Sequence, residues 1–129
     1  MWDNYTPREF RTVPVPVPLR DAMRLYTLQT GMRGTGIFDR AIFKLMEMWD
    51  EGRHDEVEKA LIYNPPPHGK RAEIAVRFTG EESFNWVCDL EQDKAIISST
   101  LDFILRALSW FCRENGVLEK HDIPEFKRT

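Results

Sequence analysis

The sequence predicts an α+β fold, mostly helical, in which one strand–helix–helix unit occurs twice and the copies join as a pseudo-dimer through a two-stranded antiparallel ribbon. Three observations carry that prediction. Two short segments, 12–19 and 72–79, place apolar residues at every second position, the period of a strand. Each is followed by two segments with apolar residues at helical spacing. The second set also repeats the first. Val13, Val15 and Val17 match Ile74, Val76 and Phe78 at an offset of 61; Ala22, Leu25, Tyr26 and Leu28 match Phe84, Val87, Cys88 and Leu90 at 62; Arg40-Ala41-Ile42 matches Arg106-Ala107-Leu108 at 66.

Taken in order, residues 1–11 read as an irregular arm. In TVPVPVPL (12–19) the valines share one face and Pro14, Pro16 and Pro18 the other. Proline cannot donate to a ladder, so this is one strand of a ribbon and not a central strand; an unpaired polyproline-type arm is the alternative. A helix follows over 20–30, with Gly31 as its stop. A second spans 35–51 from Thr35, a good N-cap type, with Ile37, Phe38, Ala41, Ile42, Leu45, Met46 and Trp49 apolar. That stripe is wide enough to be buried on two sides. A short helix over 54–63 leads to the linker NPPPHG at 64–69. The pattern then restarts with AEIAVRFT at 72–79, a helix over 81–93, and a richly apolar helix over 99–114 capped by Ser99 or Thr100. The organisation is therefore an arm (1–11), a first unit (12–52), a short helix and Pro-rich linker (53–71), a second unit (72–115) and a tail (116–129).

One unit alone would leave its strand unpaired and its second helix uncovered. Two units related by a pseudo-dyad solve both problems. Ala41 and Ala107, the small residues in bulky stripes, belong where helices cross closely.

Composition sets the broad class. A hydrophobic fraction of 42% and 15 aromatic residues (Trp 4, Tyr 3, Phe 8) are globular values. No apolar run approaches the roughly 18 residues that cross a bilayer, and no secretory signal is visible, so a cytoplasmic chain without membrane attachment is expected. Cys88 and Cys112 read as buried thiols in a reducing compartment. The net charge of −3 gives no global attraction to nucleic acid. Locally, Lys70, Arg71 and Arg77 outweigh Glu73 across 66–79, whereas 81–93 carries five carboxylates and no cation. An anion-binding surface is thereby confined to a strip.

The motif VPLRDAMRLYTLQTG…TGIFDRAI, with its second copy VRFTGEESFNWVCDL…TLDFILRAL, resembles the ribbon-helix-helix family of repressors. The shared features are a strand ending in proline, a short helix ending at Gly31, and the Arg-Ala-Ile triplet; the second copy keeps Arg-Ala-Leu but lacks the glycine between helices. A tandem pair in one chain resembles the TraY-type relaxosome proteins of conjugative plasmids, or the VirC2-type proteins of the T-DNA system. The resemblance implies that the ribbon enters the major groove of double-stranded DNA and that amides at the start of the second helix grip phosphate. Carried over, the outward ribbon residues are Thr12, Pro14, Pro16 and Pro18, with Glu73, Ala75, Arg77 and Thr79 on the other strand. Prolines offer a base edge no hydrogen bond, so base reading falls to Arg77, supported by Thr12 and Thr79; for Arg77 the alternative is a solvated or salt-bridged arginine. Phosphate contacts fall to Arg33 and Thr35 at one helix start, Ser99 and Thr100 at the other, and to the flanking Arg8, Arg11, Lys70 and Arg71. Ordinary capping and a solvated surface are the alternatives for these. Arg40 and Arg106 read as structural, bridging to carboxylates near the core.

Other chemistry is not supported. His54, His68 and His121 are scattered without ligand spacing, the cysteines lie on separate helices, and no phosphate loop, nucleophile elbow or catalytic carboxylate pair occurs, so neither metal nor cofactor is expected. The acidic stretches 50–58 and 81–93 read as solvated faces, and Trp49, Trp86 and Trp110 as core or interface. The expectation is a non-enzymatic, sequence-specific double-stranded DNA-binding protein of a bacterial mobile element, serving a transfer origin, partition or transcription, with a relaxase, partition or other protein as a possible partner. The alternative is a protein-interaction module on the same fold that has lost base reading.

Overall fold

A computed structural model of the chain describes residue 2, residues 4–92 and residues 96–120; what the sequence predicts for Asp93, His121 and the tail beyond 120 lies outside them. The elements run β1 (Arg11–Pro16), α1 (Val17–Thr30), α2 (Gly34–Asp50), α3 (His54–Ile62), β2 (Arg71–Val76), α4 (Glu81–Gln92) and α5 (Thr100–Glu114). The fold is α+β and mostly helical, and the strand–helix–helix order occurs twice.

The strands pair antiparallel, Val13 opposite Ile74 and Val15 opposite Ala72, so the unpaired polyproline alternative falls. The Val17 N–H donates to the Lys70 carbonyl at 2.8 Å, continuing the odd-numbered ladder one step past the strand. Pro14 and Pro16 take the even positions, whose N–H groups would point away from the partner, so the ladder loses no bond to proline. Val13 and Val15 are buried beneath the ribbon, while Thr12, Pro14, Arg71, Glu73 and Ala75 are exposed above it. Pro16 is the departure: it is buried although its parity is outward.

β1 ends sooner than its alternation suggests, and residues 17–19 are helical. Pro16 (φ −60°, ψ 141°) stands at the N-cap, and Pro18 falls in the first turn, where a missing N–H costs nothing. The early start rotates the stripe. α1 buries Leu19, Ala22, Met23 and Tyr26, leaving Leu25 and Leu28 exposed. Against α4, which buries Ser83, Val87 and Leu90, the match is 19, 23 and 26 to 83, 87 and 90, an offset of 64 and not 62. α1 stops at Gly31, whose φ of 77° needs no Cβ and whose N–H donates to the Thr27 carbonyl at 2.7 Å.

The long helices keep the offset of 66. Ile37, Phe38, Ala41, Ile42 and Leu45 are buried in α2, and Phe103, Ile104, Ala107, Leu108 and Phe111 in α5. α5 lies at the centre, against α1, α2, α3 and α4, and both Ala41 and Ala107 are fully buried. Arg106 is structural as expected: it donates to Asp102 at 2.8 Å and, through Nη1, to the Leu61 and Ile62 carbonyls at 3.0 Å, holding the end of α3. Arg40 is not; it is exposed, and among the described residues no helix covers the corresponding face of α2. Cys112 is fully buried, which pushes its thiol up to about 12, but Cys88 is only half-buried.

The segment 77–79 is not strand. Phe78 turns inward, and the arm docks on it: Tyr5 accepts from the Phe78 N–H through its hydroxyl at 2.9 Å, and the Arg8 N–H donates to the Phe78 carbonyl at 2.7 Å. Phe78 sits edge-to-face with Trp2, Tyr5, Phe38 and Phe84 at centroid distances of 5.2–5.9 Å. Trp86 contacts Phe103 and Trp49, and Trp49 stacks on His54 at 3.8 Å, so these two tryptophans serve packing.

Candidate nucleic-acid interface

The eleven residues singled out from the sequence separate into a group engaged by other parts of the fold, Arg8 among them, and a group left on its surface. Arg77 follows β2 and is half-buried; its guanidinium lies 4.7 Å from the ring centre of Phe10, and its buried Nε has no partner among the described residues. Thr79 is exposed, but its hydroxyl donates to Asp39 Oδ1 at 2.7 Å, and its carbonyl accepts from Arg8 Nε at 3.1 Å. Arg11 opens β1 on the inward parity, opposite Val76, with its guanidinium 4.7 Å from the Trp2 ring centre. Thr100 is buried and donates to Glu91 at 3.3 Å. Each of the four is engaged within the fold. A cation over an aromatic face is partly desolvated there, and a buried hydroxyl cannot meet a phosphate.

The surface group is Thr12, Arg33, Lys70 and Arg71, with Thr35 half-buried in the first turn of α2. β2 starts one residue earlier than predicted. That places Arg71 opposite Pro16 on the outward face, in line with Glu73 and Ala75, so the long donor on the ribbon is Arg71 and not Arg77. Among the described residues, Arg33, Lys70 and Arg71 have no ion-pair partner within 4.0 Å.

The two helix starts differ. At α2 the N-cap is Arg33, not Thr35; no side chain caps it, and the first turn carries no acid. Its amides stay open to an anion. At α5 the Ser99 hydroxyl accepts from the Asp102 N–H at 3.0 Å, and the Asp102 carboxylate accepts from the Ser98 N–H at 3.1 Å. Ser99 is thus an ordinary cap, and a carboxylate holds the place a phosphate would take.

One surface was missed. A groove of about 470 Å³ runs between α2 and the turn before α4, with Ile42, Phe43 and Met46 as apolar lining and Asp39, Glu47, Asp50, Glu51 and Glu82 as its charged groups. The signal lay in Phe43, an aromatic residue outside the α2 stripe and between carboxylates. Among the described residues, no group of three or more His, Cys, Asp or Glu could hold a metal ion, and no helix is long and apolar enough to cross a membrane. Compared with family models, curated proteins and solved structures, the chain matches none.

Proposed function

We propose that the chain is a non-enzymatic double-stranded DNA-binding protein of a bacterial mobile element, two ribbon-helix-helix units in tandem acting as a single-chain pseudo-dimer at a transfer origin, a partition site or a promoter. The observation that carries the reading is the pairing of β1 with β2 into an antiparallel ribbon whose exposed face bears Thr12 and Arg71. The burial match at 66 between α2 and α5 supports the pseudo-dyad, and the uncapped start of α2 supports the phosphate contact. Affinity rests on Arg33, Lys70 and the α2 amides, and base preference on Arg71, whose fork suits guanine, with Thr12 at the other end of the exposed face. Contact with the second half is weaker, because Ser99 and Asp102 occupy the start of α5.

A second reading has its own support. Arg77 and Thr79 are held away from the ribbon face, and Pro14 offers no donor. The same fold then serves as a protein-interaction module.

The test is selection from a randomised duplex pool, followed by fluorescence anisotropy on selected and scrambled duplexes at several salt concentrations. Arg71→Ala is expected to cost about 1–3 kcal/mol on the selected site and to relax preference at one position. Arg33→Ala is expected to weaken all duplexes alike and lower the salt slope by about one. Arg77→Ala leaves preference unchanged. Absence of duplex binding by the wild type at about 50 mM salt rejects the DNA reading in favour of the second.

A further inference from the structure

The offset of 66 that relates α5 to α2 also relates two surfaces that have opposite fates. On α5, the face carrying Arg106, Ser109 and Arg113 is covered. Arg106 holds the Leu61 and Ile62 carbonyls at the end of α3, Arg113 donates to the Pro65 carbonyl at 2.8 Å, and Ser109 is 0% exposed. The corresponding residues of α2 are Arg40, Phe43 and Glu47. Nothing described covers them: Phe43 is 65% exposed, and with Glu47 it lines the groove between α2 and the turn before α4. An apolar ring left in water on a helix face whose counterpart is covered marks a docking surface.

The charges define the occupant. Five carboxylates line the groove, and no lysine or arginine does. Two are already engaged, Asp39 by the Thr79 hydroxyl and Glu51 by Arg53 at 3.5 Å. Glu47, Asp50 and Glu82 have no cation within 4.0 Å among the described residues. Of the corresponding pairs, Arg40 keeps the sign of Arg106 and Glu47 reverses that of Arg113; on α5 the arginines receive the backbone carbonyls of an amphipathic helix and its linker. We infer that the groove receives a basic amphipathic helix of a protein partner, its apolar side against Phe43 and Met46 and its lysines or arginines against Glu47, Asp50 and Glu82. This is the helix-in-groove mode of recognition, with the acidic rim steering approach and setting register. It involves neither the ribbon face nor Arg33, so it stands whether or not the chain binds DNA.

The probe is a fluorescein-labelled 14-residue lysine–leucine peptide of helical periodicity, compared with a scrambled peptide of the same composition and a glutamate–leucine peptide of the same pattern. Anisotropy is read with the full chain at low and high salt. The expected result is binding of the lysine–leucine peptide at least tenfold tighter than of either control. Phe43→Ser is expected to weaken it at least tenfold at both salt concentrations. Glu47→Lys is expected to weaken it mainly at low salt. Both substitutions are at exposed positions, and circular dichroism confirms that each variant is folded. Equal binding of the scrambled peptide reduces the groove to a charged surface and overturns the proposal, as does unchanged binding by Phe43→Ser. A dimer that Phe43→Ser dissociates in light scattering makes the occupant a second copy of this chain, and peptide binding that requires removal of residues 121–129 makes it the chain's own tail; either also overturns the proposal.

Discussion

α2 and α5 bury corresponding residues, yet they begin in opposite ways. The start of α5 is closed: Ser99 and Asp102 satisfy backbone amides, and Asp102 also takes Arg106 at 2.8 Å. The start of α2 carries Arg33, no side-chain cap and no acid. Helices in a folded domain are held mainly by their packed faces, so a matched stripe does not require a matched cap. The difference teaches that one helix has given its terminus to stability while the other keeps its amides available. The strand exits differ too. The first chain segment passes from Pro16 directly into α1, whereas the second leaves β2 through residues 77–80, with Phe78 as an anchor that the first half lacks.

That anchor gives the largest expected effect. Phe78→Ala removes the centre of the aromatic group formed with Trp2, Tyr5, Phe38 and Phe84 and is expected to cost about 3–5 kcal/mol in urea denaturation. A loss below about 1 kcal/mol would mean that the arm and α4 are not docked on it.

The equivalence of the long helices is sharpened by Ala41→Leu and Ala107→Leu. Each overpacks a fully buried position and is expected to lower stability by about 1–3 kcal/mol, with the two losses similar. An unchanged melting temperature for either would break the correspondence at 66.

The caps give the smallest and most direct comparison. Ser99→Ala is expected to cost about 1 kcal/mol by freeing the Asp102 amide. Arg33→Asp is expected to gain about 0.5–1 kcal/mol, because it supplies the missing cap and a favourable charge at a helix N-terminus, while duplex affinity falls. Thermal denaturation and anisotropy on one preparation read both. Loss of stability in Arg33→Asp would show that α2 does not begin where its backbone places it.

How far the sequence could be read depended on the kind of information each residue needed. The elements were legible because their periods are local: alternation marked both strands, helical spacing marked four of the helices, Gly31 marked a stop, and Ser99 or Thr100 a start, which the structure gives to Ser99. Errors gathered where proline allowed two structures. Val17-Pro18-Leu19 continues the alternation of β1 and equally suits the first turn of a helix, and choosing strand turned the α1 stripe toward Leu25 and Leu28. The candidate site was less legible. Parity put Arg77 and Thr79 above the ribbon, and nothing in the spacing of either indicated Phe10 or Asp39 as its partner.

By itself, the sequence determined the order strand–helix–helix twice over, the α+β class, the outward place of Pro14 on the ribbon and the small residues of the α2 and α5 stripes. Each follows from backbone preference or from a period that recurs within a few residues. Tertiary structure alone decided which donors stay free. Arg8 meets Thr79 across 71 positions and Thr79 meets Asp39 across 40, pairings that depend on how the arm and α2 come to rest on the end of β2. It also decided that α3 covers α5 while Phe43 on α2 stays in water. The physical reason is common to both. A local period states which face of an element is apolar, but the partner of that face is set by packing between elements far apart in the chain.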